Sequence, residues 1–402
     1  MRRYLGLRSF SQQLAQHFLT VLPTPPRIPH PLFDHHSHHL FFLPTIAMSV
    51  RLANAPRALL RSVVRPPAPL GARFTSTLPR PYRFHISASW LGKPPSHKGK
   101  AKNVPFPPDS SIGSWRDHTL SRQHPSLSRD PGEDFFYIQD MRNQSGVSFG
   151  VADGVGGWSD SGVDPSLFSQ ALMYHAHRYA KNGWPGEPET DPIQSYEEKE
   201  AVEGWELNPQ ECMKLAHDAV LREKFVLAGS STACIINLNA SNGVLRAANL
   251  GDSGFLILRS SSVFYRQRAQ THYFNCPKQL AKVPSIVKKA SGAILDKPAD
   301  ADLYETKLRD GDIIIAFTDG LSDNVFNNEI TSICSLIARA GGPEDDQVQT
   351  IADRIVEYSR ACMANNQRVS PFEKAAARDN KFWPGGKMDD VTVVVALVRE
   401  VL

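Results

Sequence analysis

With 402 residues, 41% of them hydrophobic and 21% charged, the chain carries enough apolar material for a packed core, which excludes wholesale disorder. The formal charge of +4 hides a split: residues 1–108 hold 15 Lys/Arg against one acid, Asp34, whereas the remaining 294 hold 30 bases and 40 acids. An acidic body excludes nucleic-acid binding by bulk electrostatics, five cysteines with no CxxC exclude a disulfide scaffold or a cysteine zinc site, and no apolar run approaches the roughly 18–20 residues of a transmembrane helix.

Residues 1–108 contain 17 of the 30 prolines and eight of the 14 histidines, a composition that cannot repay its ordering entropy by burial. Residues 1–90 are therefore expected to form an unfolded targeting extension. Within it, Met48 opens an acid-free stretch in which Arg57, Arg61 and Arg65 share a helix face opposite Leu59, Leu60, Val63 and Val64. That pattern describes a mitochondrial transit peptide over residues 48–90, with Arg73-Phe-Thr-Ser near the processing site. Matrix localisation is the expectation. The tract His35-His36-Ser37-His38-His39 reads as low complexity rather than a metal site. Residues 91–128 are expected to link this extension to a catalytic domain at 129–400.

In the body, strands are predicted at Phe135–Asp140 and Val147–Asp153 around a turn at Asn143–Gly146. Helices follow at Ser166–Lys181 and, from the N-cap Asn208 with Pro209 behind it, at 208–227. The stretch Gly183–Gly204 is a surface insertion. Strands come next at Thr232–Leu238, Val244–Asn249, Phe255–Leu258 and Val263–Tyr265, with Gly251-Asp252-Ser253-Gly254 placed as a tight hairpin turn organised by Asp252, whose lesser alternative is contact with a metal site. Ile313–Thr318 and Val391–Val398 are apolar strands, separated by helices near 328–340 and 344–365. This mixture indicates one α+β domain built on antiparallel sheet. His175, His177 and His217 fall in helical stretches as packing residues, and Trp158 as core or rim.

Acidic residues cluster at strand ends. Glu133-Asp134 precede the first body strand, Asp153-Gly154 end the second, Asp319-Gly320 follow Ile313–Thr318, and Asp389-Asp390 open the last. Any one Asp-Gly is ordinarily a turn. Several carboxylates converging on one rim repel each other unless cations lie between them, and hard oxygen ligands suit Mg²⁺ or Mn²⁺.

Five ordered motifs carry a resemblance: Gly150-Val-Ala-Asp153-Gly-Val-Gly-Gly-Trp158, Gly229-Ser-Ser-Thr-Ala233, Asn249-Leu-Gly-Asp252-Ser-Gly254, Phe317-Thr-Asp319-Gly-Leu-Ser-Asp323-Asn324 and Asp389-Asp-Val-Thr-Val393. From about Gly132 to Val398 the chain resembles the metal-dependent type 2C Ser/Thr protein phosphatases (the PPM family), and within them the mitochondrial T-cell-activation-homologue-like branch. The resemblance implies a central antiparallel β-sandwich flanked by helices and a site with two Mn²⁺ or Mg²⁺ ions. Asp153 would bridge the ions, the Gly154 carbonyl would bind one, and Asp319 and Asp389 would add ligands. Glu133 and Asp134 match a pair that mostly holds metal-bound water; Asp390, where the family usually has Asn, would support from behind. Implied substrates are mitochondrial phosphoproteins, coenzyme Q biosynthesis enzymes among them, cleaved by a metal-activated water.

Two departures stand out. The family's histidine after Asp-Gly, a general acid, is here Val155, and a phosphate-binding arginine four residues before the Glu-Asp pair corresponds in spacing to Arg129, which beside Asp130 and Pro131 reads equally as a surface residue. Val155 favours an alternative, a catalytically silent scaffold of the same fold binding mitochondrial partners; intact Asp153, Asp319 and Asp389 oppose it. A hydrolase of small phosphoesters would share the site.

Overall fold

The structure, a computed structural model, describes residues 80–94, 105–121, 130–186, 205–284 and 295–401. Arg129, the transit segment up to residue 79 and most of the 183–204 insertion lie outside the described residues. Ten strands make the central layers: β1 (Tyr82–Leu91), β2 (Asp134–Asp140), β3 (Gly146–Asp153), β4 (Ala233–Asn239), β5 (Val244–Leu250), β6 (Gly254–Arg259), β7 (Ser262–Arg266), β8 (Asp302–Lys307), β9 (Ile313–Phe317) and β10 (Val391–Glu400). They form two antiparallel sheets, ordered β1-β10-β9-β6-β7 and β8-β5-β4-β3-β2. Helices α1 (Ser111–Leu120), α2 (Ser166–Ala180) and α3 (Pro209–Arg222) serve the second sheet; α4 (Asp319–Ser322), α5 (Asn327–Ala340), α6 (Glu344–Met363) and α7 (Pro371–Arg378) follow β9.

Period-two alternation sorts the β10 side chains between two cores. Val391, Val393, Val395 and Leu397 pack with α5 and α6 residues such as Ile330, Ile351 and Ile355. Val394, Ala396 and Val398 point the other way, onto Phe149, Val151 and Ile236 of the facing sheet. The outer face of that sheet, with Tyr137, Ala152 and Ile235, is covered by Phe168, Leu172, Met213 and Val220 of α2 and α3. The result is a helix–sheet–sheet–helix sandwich, the α+β architecture expected.

Three expectations are corrected. The folded part begins before residue 129. Residues 82–91, assigned to an unfolded extension and a linker, form β1 and pair in register with all of β10, from Tyr82 opposite Glu400 to Leu91 opposite Val391. Tyr82 and Trp90 are buried between the sheets, with Phe84, Ile86 and Ala88 on the same face, and the Trp90 and Phe136 rings lie 4.8 Å apart. Helix α1, inside the expected linker, sets Trp115 against Phe135 at 5.3 Å.

The 208–227 helix stops at Arg222, where Glu223 turns to extended backbone (ψ 123°) and the Lys282 ammonium donates to the end carbonyls of Val220 and Glu223 at 3.2 and 2.6 Å. Finally, Gly251–Ser253 is not a hairpin turn. It leaves β5 in one sheet and enters β6 in the other, turning at Gly251 with φ +107°. The crossing carries Asp252 to the rim where both sheets end.

Candidate metal centre and active site

The rim is assembled from both sheets. Asp134 and Asp153 start and end adjacent strands and face each other across the ladder. Asp319 sits at the first position of α4, directly beyond β9, and Asp389-Asp390 lie directly before β10. Glycine after each central aspartate lets a second segment close in. A Cβ on Gly154 would meet the carbonyl oxygens of Glu133 and Pro165, both at 2.7 Å, and one on Gly320 would meet that of Asp390 at 1.9 Å.

Carboxylate oxygens of Asp153, Asp252 and Asp319 lie within 4.8 Å of one another. Asp252 Oδ1 and Asp319 Oδ1 are buried with no hydrogen-bond partner, and so is Asp134 Oδ1, although Asp134 Oδ2 accepts from Thr318 Oγ1 at 2.7 Å. Burial, then the charges of Asp319 and Asp134, pushes the Asp153 carboxyl well above its ordinary range. Burial and Asp319 do the same to Asp252, and burial with Asp390 to Asp134. Buried carboxylates set this close together are not held ionised without cations.

Two cations among the described residues answer part of this charge. Lys387 Nζ contacts Asp319, lies 2.8 Å from Asp323 and 3.1 Å from Asp389. Lys93 Nζ lies 2.7 Å from Glu133, 3.3 Å from Asp389 and 3.2 Å from Asp390. Burial, which would lower them, is outweighed: both ammonium groups are held above their usual range by these carboxylates. Burial raises the Asp389 carboxyl, yet Lys387 and Lys93 hold it below the usual range. Asp390 accepts from the backbone N–H groups of Lys93 (2.6 Å) and Glu133 (2.9 Å). Lys93, Glu133, Asp153, Asp252, Asp319 and Asp389 are among the residues lining one cavity of about 240 Å³.

The chain has counterparts among known proteins. Over 270 residues the chain is 36% identical to the Protein phosphatase PTC7 homolog of Homo sapiens, covering 67% of this chain and 80% of that one. It is 37% identical to the Protein phosphatase PTC7 homolog of Danio rerio over 270 residues, covering 67% and 82%. The chain belongs to the PTC7 protein phosphatases of the type 2C (PPM) family. It is a protein Ser/Thr phosphatase. Among solved structures it is similar to the photosystem II phosphatase PBCP, with 26% identity and a TM-score of 0.53, covering 78% of this chain and 98% of that one. No protein-family model matches the chain.

Of the residues read from sequence, the phosphatase brings Glu133, Asp134, Asp153, Gly154, Asp319 and Asp389 to the rim; Arg129 lies outside the described residues. Val155 lines the cavity, its N–H donating to the Ser230 carbonyl at 3.0 Å, and offers no side-chain proton. Trp158 is buried and donates to Ser230 Oγ at 2.7 Å. Sequence reasoning gave Asp252 chiefly as a turn residue, with contact to the metal site as the lesser alternative, and missed Lys93 and Lys387. The signal for Lys387 was its place between Gly385-Gly386 and Asp389; for Asp252 it was its place as a fifth acidic position next to a strand end.

Proposed function

We propose that this PTC7-type phosphatase hydrolyses phosphoserine and phosphothreonine with the help of two Mn²⁺ or Mg²⁺ ions, and that it works in the mitochondrial matrix. The observation that carries the metal reading is the convergence of Asp153, Asp252 and Asp319 with buried, unpartnered oxygens on two of them. All candidate donors are oxygens, the preference of hard dications. Asp153, the Gly154 carbonyl, Asp319 and Asp389 would hold the ions, with Asp252 beside them and Glu133 and Asp134 around them. Such ions supply charge neutralisation and water activation when bound.

The chain's own residues contribute position and donors. The sandwich fixes the acids at strand ends, and Lys93, the more exposed of the two lysines, offers an ammonium to phosphate oxygens entering the cavity. With valine after Asp-Gly, the departing alkoxide takes no proton from that position. A silent scaffold would have no use for unpartnered buried carboxylates. Full-length protein with Mn²⁺ is expected to release phosphate from a phosphothreonine peptide, and a chelator to abolish release; release unaffected by chelation would refute the metal reading.

Localisation is supported by the arginine-rich, acid-free pattern from Met48, and the matrix phosphoprotein substrates, coenzyme Q biosynthesis enzymes included, by the family resemblance. A reporter fused behind residues 48–90 is expected to enter mitochondria, and a purely cytosolic signal would contradict this.

A further inference from the structure

An aromatic ledge runs from the cavity to the surface and has no part in the chemistry above. Phe274 immediately precedes the cavity-lining residues Asn275 and Cys276. The Phe372 ring of α7 lies 5.2 Å from the rings of both Phe274 and Trp383, and the Lys387 ammonium stands 5.2 Å over Phe372. Trp383 is fixed by its indole N–H, which donates to the Gly386 carbonyl at 3.3 Å. At the outer end Phe382 is 93% exposed, the highest value of any large apolar side chain among the described residues, and Trp383 is 43% exposed. The Lys381 ammonium, ion-paired with Asp379, lies 4.5 Å from the Phe274 ring and holds the inner end of the ledge, which is continuous with the active-site cavity at Asn275 and Cys276.

A phenylalanine left almost wholly in water contributes nothing to this fold, and contiguous exposed aromatics beside an active site mark a recognition surface. We propose that the ledge seats the polypeptide flanking the phosphoresidue of the substrate, with an apolar side chain of that segment lying against Phe382 and Trp383. This rests on the phosphatase reading of the adjoining cavity and goes on to name a sequence preference. Two steps of 5.2 Å lead from the Lys387 ammonium through Phe372 to Trp383. An extended chain rises about 3.3 Å per residue, so the apolar residue stands two to four positions from the phosphoresidue.

The test compares two phosphothreonine peptides with full-length protein and Mn²⁺: one with leucine three positions to either side of the phosphothreonine, the other with serine there. The small ester p-nitrophenyl phosphate, which cannot reach the ledge, is the control. The parent is expected to favour the leucine peptide by roughly tenfold in kcat/KM, the scale of one well-placed apolar contact. Phe382→Ser should reduce that ratio to within about twofold and leave p-nitrophenyl phosphate hydrolysis unchanged. No preference in the parent, or a preference retained in Phe382→Ser, overturns the proposal. A concentration-dependent dimer lost in Phe382→Ser, with no peptide preference, assigns the ledge to a second copy and also overturns it. Absence of hydrolysis of every substrate by the parent would instead count against the phosphatase reading itself.

Discussion

Asp153→Asn is expected to release phosphate from a phosphothreonine peptide at least about 10²–10³-fold more slowly than the parent, the cost of losing one preorganised electrostatic contact at a reaction centre. Its metal-free form should nevertheless melt at the same temperature or higher. Asp153 faces Asp134 directly across the β2–β3 ladder and shares the cavity with Asp319, so its ionised form is opposed by burial and by like charge. Asparagine keeps the volume and removes the repulsion. A structural role would give the reverse, a lower melting temperature with activity retained in the folded fraction. Activity against melting temperature in chelator separates the two outcomes.

Asp252→Asn should chiefly weaken metal binding. If Asp252 merely organised a turn, its replacement would destabilise the chain and leave the Mn²⁺ requirement unchanged. Its carboxylate instead lies within the 4.8 Å group with Asp153 and Asp319, and its Oδ1 is buried without a partner. Loss of a charged ligand or its immediate support typically costs about 10–100-fold in metal affinity. The melting temperature gained on adding Mn²⁺, which grows with the logarithm of one plus the ratio of free Mn²⁺ to Kd, should shrink accordingly, while the metal-free melting temperature holds or rises. Thermal melts across a Mn²⁺ titration read both numbers on one sample.

The parts of the fold legible in the sequence were those with unambiguous local signals. Val391–Val398 is dense in β-branched residues, and its burial on both faces follows from the lack of any polar alternation. Asn208-Pro209 marked the start of α3 through cap chemistry, and the Asn208 side chain accepts from the Glu211 N–H at 2.8 Å. Strand β1 was obscured by its neighbours. Proline- and arginine-rich flanks dominate any average over that region, although Tyr82, Phe84, Ile86, Ala88 and Trp90 alternate as a half-buried strand should.

Asp153, Asp319 and Asp389 were legible because each abuts an apolar strand. Asp252 was not, because Gly-Asp-Ser-Gly between two strands is locally indistinguishable from a hairpin; only the sheet order reveals that β5 and β6 belong to different sheets. Lys93 was invisible, and Lys387 marked only by its nearness to Asp389, for a related reason. Their partners Glu133, Asp319 and Asp323 are distant in sequence, and a lysine far from its carboxylates looks like any surface lysine.

The most direct measurement is anomalous diffraction at the manganese edge from crystals of the full chain grown with Mn²⁺. Strong peaks inside the cavity, within bonding distance of Asp153 and Asp319 oxygens, are the predicted result. A cavity without manganese, with Lys387 still bonded to Asp319 and Asp389 and ions only on surface acids, would contradict it.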